Sequence, residues 1–277
     1  MSETLTAPIT GIDGHAHVFS KALDLTSARR YSPDYDATLA MYQRSLQAHG
    51  LSHGVLVQPS FLGTDNRYLL DALRQAPDRL RGVVVVEPGI GRAELQRMND
   101  LGVVGVRLNL MGKALPDFSE PQWRALLAHI VELDWHVELH RQVADIPQLV
   151  CGLMPFGVKI VIDHFGRPNA RLGVDQPGFQ AMLELGRSGQ VWMKVSGIYR
   201  LEGSDLDNLA FARKAMPLLL QSFGAQRLVW GSDWPHTQHE DRVTYLTVIE
   251  QLQALECPEA FMRALLIDSA KALFRFV

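Results

Sequence analysis

The segment Gly11-Ile12-Asp13-Gly14-His15-Ala16-His17-Val18-Phe19 ends an apolar run on two imidazoles. A second polar ending, Leu228-Val229-Trp230-Gly231-Ser232-Asp233-Trp234-Pro235-His236, lies more than two hundred residues later. Residues two apart on a strand point to the same side, so His15 and His17 project together. Three further apolar runs end on polar groups: Val137-Glu138-Leu139-His140-Arg141-Gln142, Ile162-Asp163-His164-Phe165-Gly166-Arg167-Pro168, and Lys194-Val195-Ser196-Gly197-Ile198-Tyr199-Arg200. Brought together, His15, His17, His140, His164 and Asp233 can hold one divalent metal. They can equally polarise a carbonyl through imidazole N–H donors, with Asp233 as general base toward an attacking water. The residues leave both chemistries open.

A site fed by the first and the last strand requires a closed sheet. Apolar β-rich runs alternate with helix-patterned stretches along the chain, the signature of βα units around a parallel sheet. The expected strands are Ile9–Val18, His53–Gln58, Leu80–Glu87, Val103–Asn109, His136–His140, Val158–Asp163, Val191–Ser196 and Arg227–Gly231. Helical stretches between them include Asp36–His49, Asn66–Ala76, Glu120–Leu133 and Asp205–Ser222. Runs such as GVVVVE and VKIVID are apolar on both faces, as strands covered by helices must be. The pattern predicts a (β/α)8 TIM barrel, a single domain over residues 1–277, with an extra C-terminal helix from Pro258 to Phe276 packed on the outside. In such barrels the active site lies at the C-terminal strand ends, where the polar residues are concentrated here.

Composition narrows the partners. The chain has 277 residues, 47% of them hydrophobic, and a net charge of -3, with no long basic run, which argues against nucleic acid or a membrane surface. The first ten residues, MSETLTAPIT, offer neither a basic nor an apolar leader region, and no apolar stretch approaches a spanning helix. A cytoplasmic protein with two free thiols, Cys151 and Cys257, is the expectation. Oligomeric state is not legible, and a homo-oligomer stays open.

Taken in order, HAHVF, GVRLN, the strand-five histidine, DHFGRP, KVSGIYR and WGSDWPH resemble the amidohydrolase superfamily (amidohydrolase-related family 2), from Asp13 to His236. They are most similar to its metal-independent or mononuclear lactonase branch, which includes 2-pyrone-4,6-dicarboxylate hydrolases and sugar lactonases. The resemblance implies that the chain opens a small anionic, carboxylated lactone. Asp233 would activate water, and His15, His17 and His164 would polarise the carbonyl. Substrate carboxylates would sit on Arg107, Arg167 and Arg200, whose flat forks suit bidentate pairing. The Arg30-Tyr31-Ser32-Pro33 and Gln58-Pro59-Ser60 loops offer Tyr31 and Ser60 as neutral donors. His140 occupies the position where metal-using members place a ligand, and His236 either lines the pocket or holds its loop. The resemblance therefore implies either no cofactor, or one zinc or manganese on His15, His17, His140, His164 and Asp233. Two-metal members carry a bridging lysine or glutamate on strand four. Here that strand ends Arg107-Leu108-Asn109, so a binuclear centre is not expected.

Blander roles compete. A strand-end histidine can cap a carbonyl, and His49, His53, His129, His136 and His239 are read as structural. Asp13 and Asp163 are expected to orient strand ends, Lys194 to form a buried ion pair, and Arg141 to point outward. Arg167 has the alternative of bracing its own loop against a nearby acid. Two other functions share the same residues: a mononuclear-metal decarboxylase, and a non-catalytic binder of an anionic ligand.

Overall fold

The computed structural model describes residues 8–27 and 29–277; most of the N-terminal stretch read for a leader, residues 1–7, lies outside the described residues. Eight strands form one parallel sheet in chain order: β1 (Ile12–Ala16), β2 (His53–Val57), β3 (Leu80–Val84), β4 (Val103–Asn109), β5 (His136–His140), β6 (Lys159–Ile162), β7 (Val191–Ser196) and β8 (Leu228–Gly231). Helices follow them in turn: α1 (Leu39–Ala48), α2 (Arg67–Gln75), α3 (Arg92–Asp100), α4 (Pro121–Glu132), α5 (Ile146–Leu153), α6 (Pro177–Gly186), α7 (Asp205–Phe223) and α8 (Tyr245–Gln253). Past the end of β8 the sheet closes on itself. The Asp233 N–H donates to the His15 carbonyl at 2.7 Å and the His17 N–H to the Trp234 carbonyl at 2.7 Å. The expected TIM barrel is the observed fold.

β4, β5 and β7 match their sequence-derived bounds, and the other strands are shorter for local reasons. β1 stops at Ala16 because the chain leaves β2 and turns its hydrogen bonds to β8. β3 stops at Val84 because the Asn66 side chain takes over the backbone of Val85, accepting from its N–H at 3.1 Å and donating to its carbonyl at 2.9 Å. α1 begins at Leu39 because Thr38 caps it, its side chain accepting from the Met41 N–H. Glycine permits the tight closure: a Cβ on Gly231 would lie 2.6 Å from the His15 Cβ.

The interior has two storeys. At the N-terminal end, Ile12, Val55, Val57, Val83, Val104, Val161 and Val229 form an apolar floor. Above it the lining turns ionic. β1 carries one extra residue against β2, since Asp13 pairs with Gly54 but Ala16 with Leu56. This bulge lets Ile12 join the floor while His15, three residues on, joins the ionic storey.

The C-terminal tail forms α9 (Glu259–Arg263), a π turn (Ala264–Asp268) and α10 (Ser269–Phe274). It does more than cover the outside. Leu273, Phe274 and Phe276 pack under the valine floor and plug the N-terminal mouth of the barrel. Helices cover the outer face of the sheet but leave that end of the floor open, so the apolar tail has a surface to bury there. Among the described residues no helix is long and apolar enough to cross a membrane, and Cys151 and Cys257 are both free thiols. Phe274 is fully buried, so Phe274→Ala is expected to cost about 3–5 kcal/mol, read as a lowered midpoint of urea unfolding. An unchanged midpoint would mean that the plug is not part of the cooperative core.

Candidate active site

The ionic storey is built from strand residues that face inward. Lys194 on β7 sits 2.6 Å from Glu138 Oε2 on β5 and 3.5 Å from Asp163 Oδ1, just past β6. Arg107 on β4 donates twice to Asp163 Oδ2, at 3.1 and 3.0 Å. All four side chains are buried. Burial raises the Glu138 carboxyl, but Lys194, His136 and His15 outweigh it and hold the group well below the usual carboxylate range. The expected ion pair of Lys194 is thus present, and Asp163 anchors Arg107. Asp13 has the orienting role expected of it. It accepts from the Ser232 N–H at 2.7 Å, the Ser232 hydroxyl at 2.5 Å and the Tyr245 hydroxyl at 2.9 Å, tying β1 to the loop after β8.

That loop presents Asp233, whose φ of +60° is a left-handed conformation uncommon outside glycine. His164 also has positive φ, +51°. Asp233 Oδ1 lies 3.4 Å from His17 Nε2 and 3.8 Å from His15 Nε2, and Oδ2 lies 4.0 Å from His164 Nε2. The Tyr199 hydroxyl donates to Oδ2 at 2.6 Å, and Arg200 Nε donates to the same oxygen. Burial pushes Asp233 up, but Arg200, His164, His17 and His15 together hold it well below its ordinary value. Asp233 is therefore a carboxylate at any physiological pH.

The imidazoles are not equivalent. His17 Nδ1 is 2.7 Å from the Val57 carbonyl. A carbonyl only accepts, so the proton sits on Nδ1 and Nε2 turns a lone pair toward Asp233. Burial lowers the His17 pKa to about 4. His15 Nδ1 is 2.9 Å from the Lys194 ammonium, which only donates. Burial and the Lys194 charge lower the His15 pKa, but Asp163 and Glu138, 3.5 and 3.4 Å from Nδ1, outweigh them and raise it; Nε2 is a buried atom with no protein partner. His164 Nδ1 pairs with the Ser196 hydroxyl at 2.8 Å. Gly197, at φ +61°, permits that approach, since a Cβ there would lie 2.9 Å from His164 Nδ1. Both nitrogens of His140 are buried without partners. Burial, reinforced for His140 by Arg107, keeps His140 and His164 neutral.

A pocket of about 470 Å³ opens above these groups, lined among others by His17, Tyr31, Ser60, Arg107, His140, His164, Arg200 and Asp233, all expected from sequence. His15 lies beneath its floor. Arg167 and His236 do not line it. The Arg167 loop turns the guanidinium toward Glu202, at 4.0 Å, the bracing alternative, and His236 packs edge-on behind Tyr199. Arg141 braces its own loop, bonding Asp145 at 2.7 Å and the Lys113 carbonyl at 2.8 Å. Sequence reasoning missed Thr237 and Gln238 as lining residues and Tyr199 as a partner of Asp233. Asn109, a polar strand end two residues beyond Arg107, and Arg30, in the loop that offers Tyr31, also line the pocket. Arg30 reaches Asn109 Oδ1 at 3.0 Å across 79 residues of sequence, a contact no local pattern encodes.

The same groups are where a single cation would have to bind, since donor atoms of His15, His17 and Asp233 come within 4.8 Å of one another. His15, His17 and Asp233 would hold it, with Asp233 Oδ2 already taken by Tyr199 and Arg200. A second trio, His15, Asp163 and His164, shares His15. The carboxylates Glu138, Asp163 and Asp233 are matched by Lys194, Arg107 and Arg200 without a metal.

Comparison with known proteins agrees with this architecture. The pattern of the family described as amidohydrolase (Amidohydro_2) matches residues 12–276. A 2-pyrone-4,6-dicarboxylate hydrolase of Comamonas testosteroni is 34% identical over 251 residues, covering 85% of this chain and 80% of its own. A 4-sulfomuconolactone hydrolase of Hydrogenophaga intermedia is 32% identical, covering 83% and 76%. Among solved structures, a probable 2-pyrone-4,6-dicarboxylic acid hydrolase from Acinetobacter baumannii, with citric acid bound, superposes with a TM-score of 0.93 at 40% identity, covering 97% and 100%. With a family pattern that spans the whole barrel and relatives above 30% identity over most of their length, the chain belongs to the amidohydrolase family.

Proposed function

We propose that this protein is a lactonase, an ester-bond hydrolase that opens a lactone bearing one or more carboxylates, of the 2-pyrone-4,6-dicarboxylate kind. The observation that carries the reading is the pocket lining, which sets a carboxylate, Asp233, among neutral imidazoles in the same cavity as three guanidinium groups, Arg30, Arg107 and Arg200. Relatives named as hydrolases of 2-pyrone-4,6-dicarboxylate and 4-sulfomuconolactone support the same substrate class.

In this mechanism Arg107 and Arg200 hold the acid groups, helped by Tyr31 and Ser60, and His164 and His140 face the carbonyl oxygen. Asp233 takes a proton from water as its oxygen adds to the carbonyl carbon. The tetrahedral intermediate collapses with cleavage of the ring C–O bond, and protonated Asp233 returns its proton to the leaving oxygen. Arg200 has a double use. It lies on Asp233 Oδ2. A substrate carboxylate competing for the guanidinium loosens that hold and makes Asp233 a stronger base when substrate is present. The sequence-derived role of His17 as a carbonyl donor changes here, because its Nε2 accepts; His17 and His15 lie on the Asp233 side and serve the nucleophile. With Glu138, Asp163 and Asp233 each matched by a protein cation, the reaction is assigned to protein groups alone.

A proton-release assay on a panel of carboxylated lactones tests the reading. Turnover is expected to persist after chelation. Loss on chelation with recovery on one equivalent of zinc or manganese would return His15, His17 and Asp233 to a metal. Asp233→Asn, folded by melting curve, is expected to lose about 10²–10⁴-fold in kcat; near-normal turnover would remove Asp233 from the chemistry. The acid limb of kcat/KM has a defined place. His17 must stay unprotonated, so the profile is expected to be flat from neutral pH down to about one unit above the His17 value of about 4 and to fall below that. A limb near the ordinary histidine value would contradict the assignment.

A further inference from the structure

Three guanidinium groups line the pocket, and one of them differs from the others in its partners. Arg107 donates twice to Asp163 and Arg200 lies on Asp233, so each has a buried carboxylate of its own. Arg30 has none. We propose that Arg30, oriented by Asn109, is the seat for one carboxylate of the ligand and makes the site select dicarboxylates over monocarboxylates. The proposal deepens the lactonase reading and rests on it for turnover, though not for binding.

Arg30 stands in the loop between β1 and α1, exposed at the rim of the pocket. Its Nη2 donates to Asn109 Oδ1 at 3.0 Å, a neutral acceptor that orients the guanidinium without cancelling its charge. Burial and the neighbouring Arg107 charge lower the Arg30 pKa, and no acid acts in the other direction. Among the described residues Arg30 forms no ion pair. The Tyr31 hydroxyl, next along the chain, donates to Glu240 on the loop after β8 and so ties the two lining loops together. Arg30 is thus held in place from both sides while its charge stays unmatched.

Asn109 lies two residues beyond Arg107 on β4, which brings Arg30 and Arg107 together as like charges. A carboxylate between them meets a guanidinium on each oxygen and relieves their repulsion. Arg200 comes from the segment after β7, three strands further round the barrel, and its charge does not act on Arg30 in the same way. A ligand with acid groups at both places is held twice, a monocarboxylate only once. A ligand carboxylate at Arg107 or Arg200 alone has to compete with Asp163 or Asp233. At Arg30 it competes with water. Loss of Arg30 therefore falls on one carboxylate position of the ligand and spares the other.

The test compares wild-type protein with Arg30→Met and Arg30→Gln on 2-pyrone-4,6-dicarboxylate, 2-pyrone-4-carboxylate and 2-pyrone-6-carboxylate. Both variants change an exposed side chain, and Gln keeps a donor for Asn109; melting curves check the fold. In each variant kcat/KM is expected to fall about tenfold, through KM, for the dicarboxylate and for one of the two monocarboxylates, the other staying within about threefold. An equal fall on all three substrates, or on none, overturns the proposal. The first is a general loss of positive charge, and the second leaves Arg30 without a role. Binding supplies an arm free of turnover. By titration calorimetry, wild-type protein is expected to bind benzene-1,3-dicarboxylate about tenfold more tightly than benzoate, and the variants to lose that preference. No preference in wild-type protein, or one unchanged in the variants, also overturns the proposal. A lactone panel silent with wild-type protein, beside an Arg30-dependent preference for the dicarboxylate, would reject the lactonase reading and leave the Arg30 assignment standing. Turnover of 2-pyrone-4,6-dicarboxylate with an unchanged profile in the variants would do the reverse.

Discussion

Ions without water dominate this molecule. Glu138 and Asp163 are drawn out of solvent by a barrel interior too narrow to admit it, and each is held by a cation from two strands away, Lys194 or Arg107. Removing one partner from such a set typically costs about 3–5 kcal/mol, because the remaining charge has no solvent to turn to. The storey therefore has to be complete to exist. Completeness fixes side-chain geometry across β4, β5, β6 and β7, and His15 of β1 is held against it. The reactive groups above stand on a charged platform that cannot relax one residue at a time.

The second constraint is closure. Asp233 is placed by backbone bonds between β1 and the loop after β8, and by Asp13, which gathers the Ser232 and Tyr245 donors into one buried knot. Because the His15 carbonyl accepts from the Asp233 N–H, the Asp233 carboxylate and the imidazole below it are fixed to each other by a single backbone contact. Closure also accounts for the tail. A barrel that carries ions in its upper half needs a dry lower half, and α10 seals that end with Phe274.

The pocket then divides the work by protonation state. Burial keeps His17, His140 and His164 neutral, while Arg200 and the imidazoles keep Asp233 ionised. A neutral imidazole has one donor and one acceptor, and the Val57 carbonyl behind His17 puts its proton on Nδ1. Arg30, Tyr31, Thr237 and Gln238 come instead from the long loops after β1 and β8.

Much of this was legible in the chain. The alternation of apolar runs and helical patterns determined the barrel, because strands covered on both faces must be apolar throughout. The polar endings determined which mouth would carry the chemistry. His17, Ser60, Arg107, Asn109, His140, His164, Arg200 and Asp233 followed from that logic, since a strand end is a local property, and Tyr31 from the family resemblance. What the sequence could not decide is what lies across the barrel from what. That Lys194 reaches His15 over 179 residues, that Arg200 and Tyr199 meet on Asp233, that Arg167 turns to Glu202, and that the tail enters the barrel mouth all depend on inter-strand register and on a bulge in β1. Those are set only when the sheet closes. A spacing of two puts His15 and His17 on one face, but only the closed barrel sets His15 against Lys194 and His17 against the Val57 carbonyl.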